Sequence, residues 1–522
     1  MRYLLSVFAV LSWAVLRTRA HAPAWANLAI QANGRLLERT VSGEPFLWQA
    51  DTVWEIFQRL NKSDVDFYLQ NRAAKGYNVI QAVAIAEIDG TTRPNFYGDL
   101  PLQDQDPLLP NDAYYKYVDY VVERAAHFGI LVALVPTWGR YVNGGWHQAP
   151  IIFNESNAYE YGRFIGARYP GLPKIIGADS NAFWSINVPV AQQEFRDDPT
   201  QDPDSLIGPV IDTRAVWASM RNGLEDGEHE KGFELFSTYH PTNPRVRWTP
   251  EAYGSNYING SYGTLSMNGV QSGHSSQDPN TLDFEMTALP GWDATKNYEN
   301  IAAMRAIFDG PVIDLENHYE GANDNFNTSR PAWNASQVRH GLYYGVFSGA
   351  CGFTYGANAV WQLYDPLALL ARPDLYIDPI LNVPADFSWR EAMDMPAAGQ
   401  AQHLTRLLAR LPADVFRALE PDRSFVSGAN GALDWESDRR TAALASGGTH
   451  FFVYAGHGDS FALDLGNVAG RAGKRFARAA WYSPRDGSFS EGGIVELGGE
   501  RTFEPPSSGS VDDDWVLELV AL

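Results

Sequence analysis

Four acidic residues sit where strand-like runs stop. Asp51 closes the run 45–51, Asp179 closes 174–179 and Glu316 closes 311–316, while Glu87 lies just past 78–85. Two carboxylates brought across one cleft can cleave an acetal. One, protonated, donates to the leaving oxygen; the other attacks the anomeric carbon or activates a water. A lone acid at a strand end more often caps a helix or joins an ion pair, since structural networks place acids there too. Asp51, followed by Thr52-Val53-Trp54, suits either a structural cap or the binding of a substrate hydroxyl. Polar residues also break into apolar strands: Gln81 interrupts 78–85, and His240 and His274 end the runs 233–240 and 267–274. Buried groups of this kind need hydrogen-bond partners, and either a sugar pocket or an ordinary internal network supplies them. His240 and His274 are far apart and no H-E-x-x-H occurs, so neither a metal nor another cofactor is expected. No G-x-S-x-G and no P-loop is present, which disfavours a serine hydrolase.

The elements that would position these residues alternate. Strand-like runs at 45–51, 78–85, 130–138, 174–179, 233–240, 267–274, 311–316 and 353–355 are separated by helical patterns at 63–75, 112–128, 157–168, 213–225, 296–308 and 337–347. Gly76 and Gly129 follow two of these helices where a left-handed residue ends a helix cheaply, and each leads at once into a strand. About eight such units predict an α/β fold, a (β/α)8 TIM barrel. A doubly wound open sheet would want a phosphate-binding glycine loop after its first strand, and Gln49-Ala50-Asp51-Thr52 is not one. In a barrel the strand ends share one mouth, where strands four and seven can flank a single bond. A polar, proline-marked stretch at 181–211 is expected to shape that mouth.

The chain has 522 residues, too many for one ordinary core. Residues 389–411 read as a helical linker, and 412–522 as short alternating strands at 449–455, 460–465, 478–483 and 515–520: a small all-β sandwich with no helix signal. At the N-terminus Arg2, an apolar run from Leu4 to Val15 and Thr18-Arg19-Ala20 resemble a signal peptide over 1–20, too short to span a bilayer. The catalytic domain then covers 21–388. Sequons at Asn61, Asn154, Asn259, Asn327 and Asn334 fit a secretory route, so a secreted protein is expected. A single cysteine, Cys351, in an apolar run reads as a core residue, and no intramolecular disulfide can form. The net charge of −22 argues against nucleic acid or an anionic membrane as partner. The 16 Trp and 25 Tyr suit sugar rings, although large barrels bury many aromatics in any case.

Several motifs resemble the apiosidase-like family of glycoside hydrolases. They are Asp51-Thr52-Val53-Trp54-Glu55-Ile56-Phe57, Asn71-Arg72-Ala73-Ala74-Lys75-Gly76 running into Val79-Ile80-Gln81-Ala82, Pro94-Asn95-Phe96-Tyr97-Gly98, and Pro136-Thr137-Trp138-Gly139. Thr238-Tyr239-His240-Pro241, Gln271-Ser272-Gly273-His274 and Phe353-Thr354-Tyr355-Gly356 with Trp361-Gln362 continue the series in order over roughly 28–410. Trp481-Tyr482-Ser483-Pro484-Arg485-Asp486-Gly487 and Asp514-Trp515-Val516-Leu517 are similar to the domain that usually follows in this family, one labelled as collagen-binding; a sandwich braced on a barrel is the favoured reading.

The resemblance implies release of apiose, a branched pentose, from the pectic side chains of plant cell walls, by an Asp and a Glu. Those positions here are Asp179 and Glu316, with Asp179 as general acid/base, Glu316 as nucleophile and retention of configuration. Asp51, Gln81, Trp138, His240, His274 and Tyr319 are the further candidates for binding the sugar. The surroundings depart from the family pattern. Gly177-Ala178-Asp179 stands where Gly-Gly-Asp is usual, and Leu315-Glu316-Asn317 where Gly-Glu-Pro is usual. Hydrolysis is thus better supported than the sugar. A furanosidase of other specificity, such as an arabinofuranosidase, and a non-catalytic carbohydrate- or matrix-binding protein are the competing readings.

Overall fold

The computed structural model describes residues 23–145, 150–178, 208–242, 265–274, 295–326, 328–367, 387–428 and 440–522, with residue 385 and scattered positions between 182 and 206. The proposed signal peptide, Asp179, scattered positions of the stretch 181–211, and Asn259 and Asn327 therefore lie outside the described residues.

Eight parallel strands form the barrel: β1 (Trp48–Thr52), β2 (Val79–Val83), β3 (Leu131–Val135), β4 (Lys174–Ile176), β5 (Ser237–Tyr239), β6 (Asn268–Gln271), β7 (Val312–Glu316) and β8 (Gly352–Tyr355). Their order is β5-β4-β3-β2-β1-β8 with β6-β7 beside it. The ring closes where Cys351 N–H donates to Val312 O (2.9 Å) and Ser266 N–H to Ser237 O (2.8 Å). Among the described residues, the longer helices between the strands are α1 (Lys62–Ala74), α2 (Asp112–His127), α3 (Glu155–Arg168), α4 (Arg214–Glu230), α5 (Thr295–Ile307) and α6 (Ala335–Phe347). The strands are buried along their whole length because helices cover one face and the barrel interior fills the other. Gly76 and Gly129 take φ of 78° and 76°, the left-handed stops expected after α1 and α2.

Two boundaries differ from expectation. The run 45–51 is two strands: Pro45–Phe46 joins an antiparallel sheet with Ile30–Asn33 and Leu36–Arg39, and β1 starts only at Trp48. The stretch 389–411, expected as a helical linker, is helical, but its helix α7 (Pro396–Ala409) packs on the barrel. Tyr77 Oη donates to Ala398 O (3.1 Å), and Ala397 N–H donates to the buried Glu320 carboxylate (3.0 Å). Pro396 opens α7, and its apolar face of Ala397, Ala398, Ala401, Leu404, Leu407 and Leu408 is buried, which adds α7 to the barrel's helix layer.

Three sequons begin helices. Asn61, Asn154 and Asn334 cap α1, α3 and α6, each side chain accepting a backbone N–H from the first turn. Asn followed by Ser two residues on is a helix-start pattern as well as a sequon.

The C-terminal unit has a six-stranded antiparallel sheet, β9 (Leu419–Pro421), β10 (Thr441–Ser446), β11 (His450–Ala455), β13 (Phe476–Tyr482), β14 (Phe489–Glu496) and β16 (Trp515–Ala521), in the order β9-β10-β11-β16-β13-β14. A smaller sheet of Val426–Ser427, β12 (Phe461–Asp464) and β15 (Glu500–Phe503) faces it. The unit is not free of helix: Leu465–Ala472 is helical, capped by Asp464 and stopped by Gly473 at φ 61°. The period-two alternation of β11 explains the arrangement. Phe451, Val453 and Ala455 enter the sandwich core, whereas Phe452 and Tyr454 belong to the same apolar cluster as the barrel. The Tyr454 ring stacks on Tyr343 of α6 at 4.9 Å. Below it Arg339 forms a bidentate ion pair with Asp514 (2.8 Å for both contacts), joined by Arg485 at 3.0 Å and by Tyr454 Oη at 3.2 Å. Burial alone would raise the Asp514 carboxyl, but Arg339 outweighs it and holds the group below its usual range.

Breaking a buried pair strands one charge at a cost of about 3–5 kcal/mol. Asp514→Asn should therefore lower the denaturation midpoint of the whole protein by a corresponding amount. Arg475→Ala, which breaks an exposed pair with Glu496, should stay within about 0.5 kcal/mol in the same denaturant titration.

Candidate active site

Glu316 is the last residue of β7, and its carboxylate is buried. Its oxygens are treated differently. Oε1 accepts from Gln271 Nε2 at 2.8 Å and from His274 Nε2 at 2.7 Å. Oε2 lies 3.3 Å from His240 Nε2, close but off the line of a full hydrogen bond. Burial pushes the Glu316 carboxyl upward, but the His240 and His274 contacts outweigh it and hold the group well below the ordinary carboxylate range. At neutral pH the site thus presents an ionised, desolvated carboxylate.

The backbone around Glu316 is pinned from behind. Asp314 Oδ1 accepts from Glu316 N–H (3.2 Å) and Ser272 N–H (3.1 Å), and Glu316 O accepts from Gly273 N–H (3.1 Å). Asn297 Nδ2 donates to Asn317 Oδ1 (2.9 Å), and Asn317 Nδ2 donates to Val338 O in α6 (3.2 Å). Gly341 makes that possible, because a Cβ there would meet Asn317 Nδ2 at 2.4 Å. The Asn317 departure from the family pattern is therefore a built-in tie to α5 and α6.

Aromatic rings wall the carboxylate. Trp54 meets Trp138 edge-on at 5.2 Å and His240 at 5.7 Å. Trp54 Nε1 donates to Tyr319 Oη (3.1 Å), and Tyr319 packs on His274 at 4.2 Å and Trp361 at 6.2 Å. Gly356 lets Tyr319 approach, since a Cβ would lie 2.3 Å from its ring. Trp138 Nε1 is buried with no hydrogen-bond partner, leaving a donor for a ligand.

Each candidate has a place in this arrangement. Trp138, His240, His274 and Tyr319 gather with Glu316. Gln81 points into the barrel interior, where its Nε2 donates to Leu315 O (2.9 Å) and Thr52 Oγ1 (3.3 Å); it steadies the residue before Glu316 and makes no contact with the carboxylate. Asp51 turns the other way, into the helix layer, as a salt bridge with Arg72 (2.5 Å) and an acceptor from Tyr68 Oη (2.6 Å). That placement is structural, because Asp51 precedes Thr52 and alternation sends the two to opposite faces. Asp179 lies outside the described residues; Ala178 before it is buried, and its C=O accepts from Gly139 N–H (3.0 Å). Glu87 is buried, and its backbone C=O accepts from Arg140 Nη1 (2.6 Å).

Gln271, Trp54 and Trp361 stood in quoted motifs without a role. Their signal was position: each lies at or just beyond the C-terminal end of a strand. Among the described residues no cluster of His, Cys, Asp and Glu could hold a metal ion.

An eight-stranded parallel barrel with a buried, ionised glutamate at the end of its seventh strand and an aromatic wall defines a glycoside hydrolase. Comparison with known proteins agrees. Residues 31–414 match the family model described as the apiosidase-like catalytic domain, and the chain belongs to that family. Residues 421–520 match the model described as "Putative collagen-binding domain of a collagenase". Among solved structures, a glycoside hydrolase family 5 protein from Bacteroides vulgatus superposes with a TM-score of 0.74 at 25% identity, covering 96% of this chain and 95% of its own. A second, described as a glycoside hydrolase, gives 0.73 at 24% identity over 96% and 98% of the two chains. No curated protein sequence matches the chain.

One acid beside the site is not ionised in the same way. Glu55 follows Trp54 and is buried; burial pushes its carboxyl up to about 7, against the pull of Arg59 at 3.8 Å and with Glu87 and Asp89 adding to the rise. Because the folded value lies above the ordinary 4.5, stability is fully present at lower pH and is lost as pH rises through about 7. Glu55→Gln should remove that loss. Its midpoint should exceed that of the wild type by on the order of 3 kcal/mol at alkaline pH and converge with it near pH 4, read by denaturant titration at both values.

Proposed function

We propose that this glycoside hydrolase removes a terminal apiose-like pentose from pectic side chains, with Glu316 as nucleophile and Asp179 as general acid/base. The observation that carries the reading is the buried carboxylate of Glu316, held well below the ordinary range by His240 and His274 in an aromatic-walled site. A general acid must hold a proton at working pH, which suits Glu316 poorly; a nucleophile must not. Membership of the apiosidase-like family supports the sugar class, and a neutral furanose end suits a chain of charge −22. Trp138 Nε1 is the donor we assign to a sugar hydroxyl. Retention requires the two carboxyls to stand about 5–5.5 Å apart.

The test is sugar release from pectic oligosaccharides, with the product identified by chromatography. Wild type should release apiose, and Glu316→Gln should lose at least ~10³-fold in kcat with its fold intact by circular dichroism. Release of arabinose instead, on a panel of aryl furanosides, would keep the mechanism and replace the sugar. No release from any glycoside would move the reading to a binding protein. Trp138→Phe should cost about tenfold in kcat/KM, chiefly through KM, the value of one neutral hydrogen bond.

The apolar run Leu4–Val15 and the exposed Asn154 and Asn334 sequons support export through a secretory route, with pectin in the wall as the substrate met outside. Expression in a secretory host should yield medium-borne protein whose mass falls on enzymatic deglycosylation.

A further inference from the structure

The two histidines on Glu316 look alike in sequence, but their backbone contacts give them different protons. His274 Nδ1 accepts from Tyr319 N–H (3.2 Å), so that nitrogen is bare and Nε2 carries the hydrogen donated to Oε1. His274 is a neutral donor in a fixed tautomer. His240 is the reverse. Its Nδ1 faces Pro241 O at 3.1 Å, and a carbonyl oxygen only accepts, so Nδ1 carries a hydrogen. Its Nε2, facing the carboxylate at 3.3 Å, can then carry a hydrogen only as the imidazolium.

We infer that His240 is a charged positioning residue for Glu316: its imidazolium stands against Oε2, the attacking oxygen, and stabilises the carboxylate when it leaves the glycosyl-enzyme. This deepens the reading of Glu316 as nucleophile and rests on it. Oε1 accepts from two donors, whereas among the described residues Oε2 has only the long, off-line contact and keeps a lone pair for the anomeric carbon. In the first step the Oε2–C1 bond forms and the C1–O bond to the leaving group breaks, its electron pair going to an oxygen protonated by the general acid. In the second, water attacks C1, the general base takes its proton, and the C1–Oε2 electron pair returns to the carboxylate. There a full positive charge on His240 lowers the barrier, and the neutral His274 does less. The depressed Glu316 carboxyl agrees with a carboxylate–imidazolium pair. Among the described residues, the other groups facing the pair are His274, Gln271, and the rings of Trp54 and Tyr319, and none of these carries a formal charge. Asp314 lies behind it, satisfied by Ser272, Asn297 and the Glu316 N–H.

Histidine 15N spectra of the unliganded protein test the proton directly, without any substrate. His240 should show two protonated nitrogens near pH 7 and His274 one, at Nε2. In Glu316→Gln, His240 should fall back to Nδ1–H alone. Kinetics then read the consequence. His240→Gln, which keeps a donor but not a charge, should accumulate glycosyl-enzyme, give a burst on an aryl glycoside, lower kcat and KM together, and lose the alkaline limb of kcat. His274→Gln should keep that limb. A neutral His240 with a bare Nε2 beside ionised Glu316 would overturn the assignment, as would a His240→Gln pH profile superimposing on wild type. An inactive wild type would count instead against the hydrolytic reading, leaving the 15N result to decide the proton.

Discussion

A carboxylate taken out of water is held ionised in the middle of this protein, and much else follows from that constraint. Burying a charge costs several kcal/mol unless hydrogen bonds and an opposite charge replace the solvent. Glu316 receives Gln271 and His274 on one oxygen and His240 near the other. Those three donors come from β6, from the loop after β6 and from the end of β5. They meet only because a barrel brings the ends of its strands to one mouth. Trp54, Trp138, Tyr319 and Trp361 are buried around the site, and in such low-dielectric surroundings the hydrogen bonds that hold the charge are stronger than they would be in water.

Support continues outward from the carboxylate in short steps. Asn317, next in the chain, is tied to Val338 O of α6, and the following residue, Arg339, is the anchor of the C-terminal sheet through Asp514. Tyr343 and Tyr344 of the same helix pack against Tyr454 of β11. The six-stranded sheet therefore gives one face to its own core and the other to the helix behind the nucleophile. A β-sandwich used in this way is a brace. The face opposite its own core is occupied by the barrel.

The barrel and much of the site were legible in the sequence for one reason: strand ends announce themselves. A β-rich run that stops at a polar residue located Glu316, His240 and His274, whereas Trp138 and Tyr319 entered as further candidates beside the family resemblance. Asp51 shows the limit. It met the same criterion, yet period-two alternation sends it outward to Arg72 and Tyr68, and its partners twenty residues away on a helix carried no local signal. Gln81 faces inward but one layer deeper, on Leu315 O. The helix Leu465–Ala472 was missed because eight residues with two glycines give too short a period to stand out from turns. The tautomers of the histidines were invisible, since they are set by the backbone groups of Tyr319 and Pro241.

The central claim, that Glu316 is the attacking carboxylate, is tested most directly by trapping the covalent intermediate. A 2-deoxy-2-fluoro furanosyl donor with a good leaving group should inactivate the enzyme, and peptide mapping by mass spectrometry should find the sugar on Glu316. A label on a different carboxylate, or turnover with inversion of the anomeric configuration and no labelled peptide, would contradict the account.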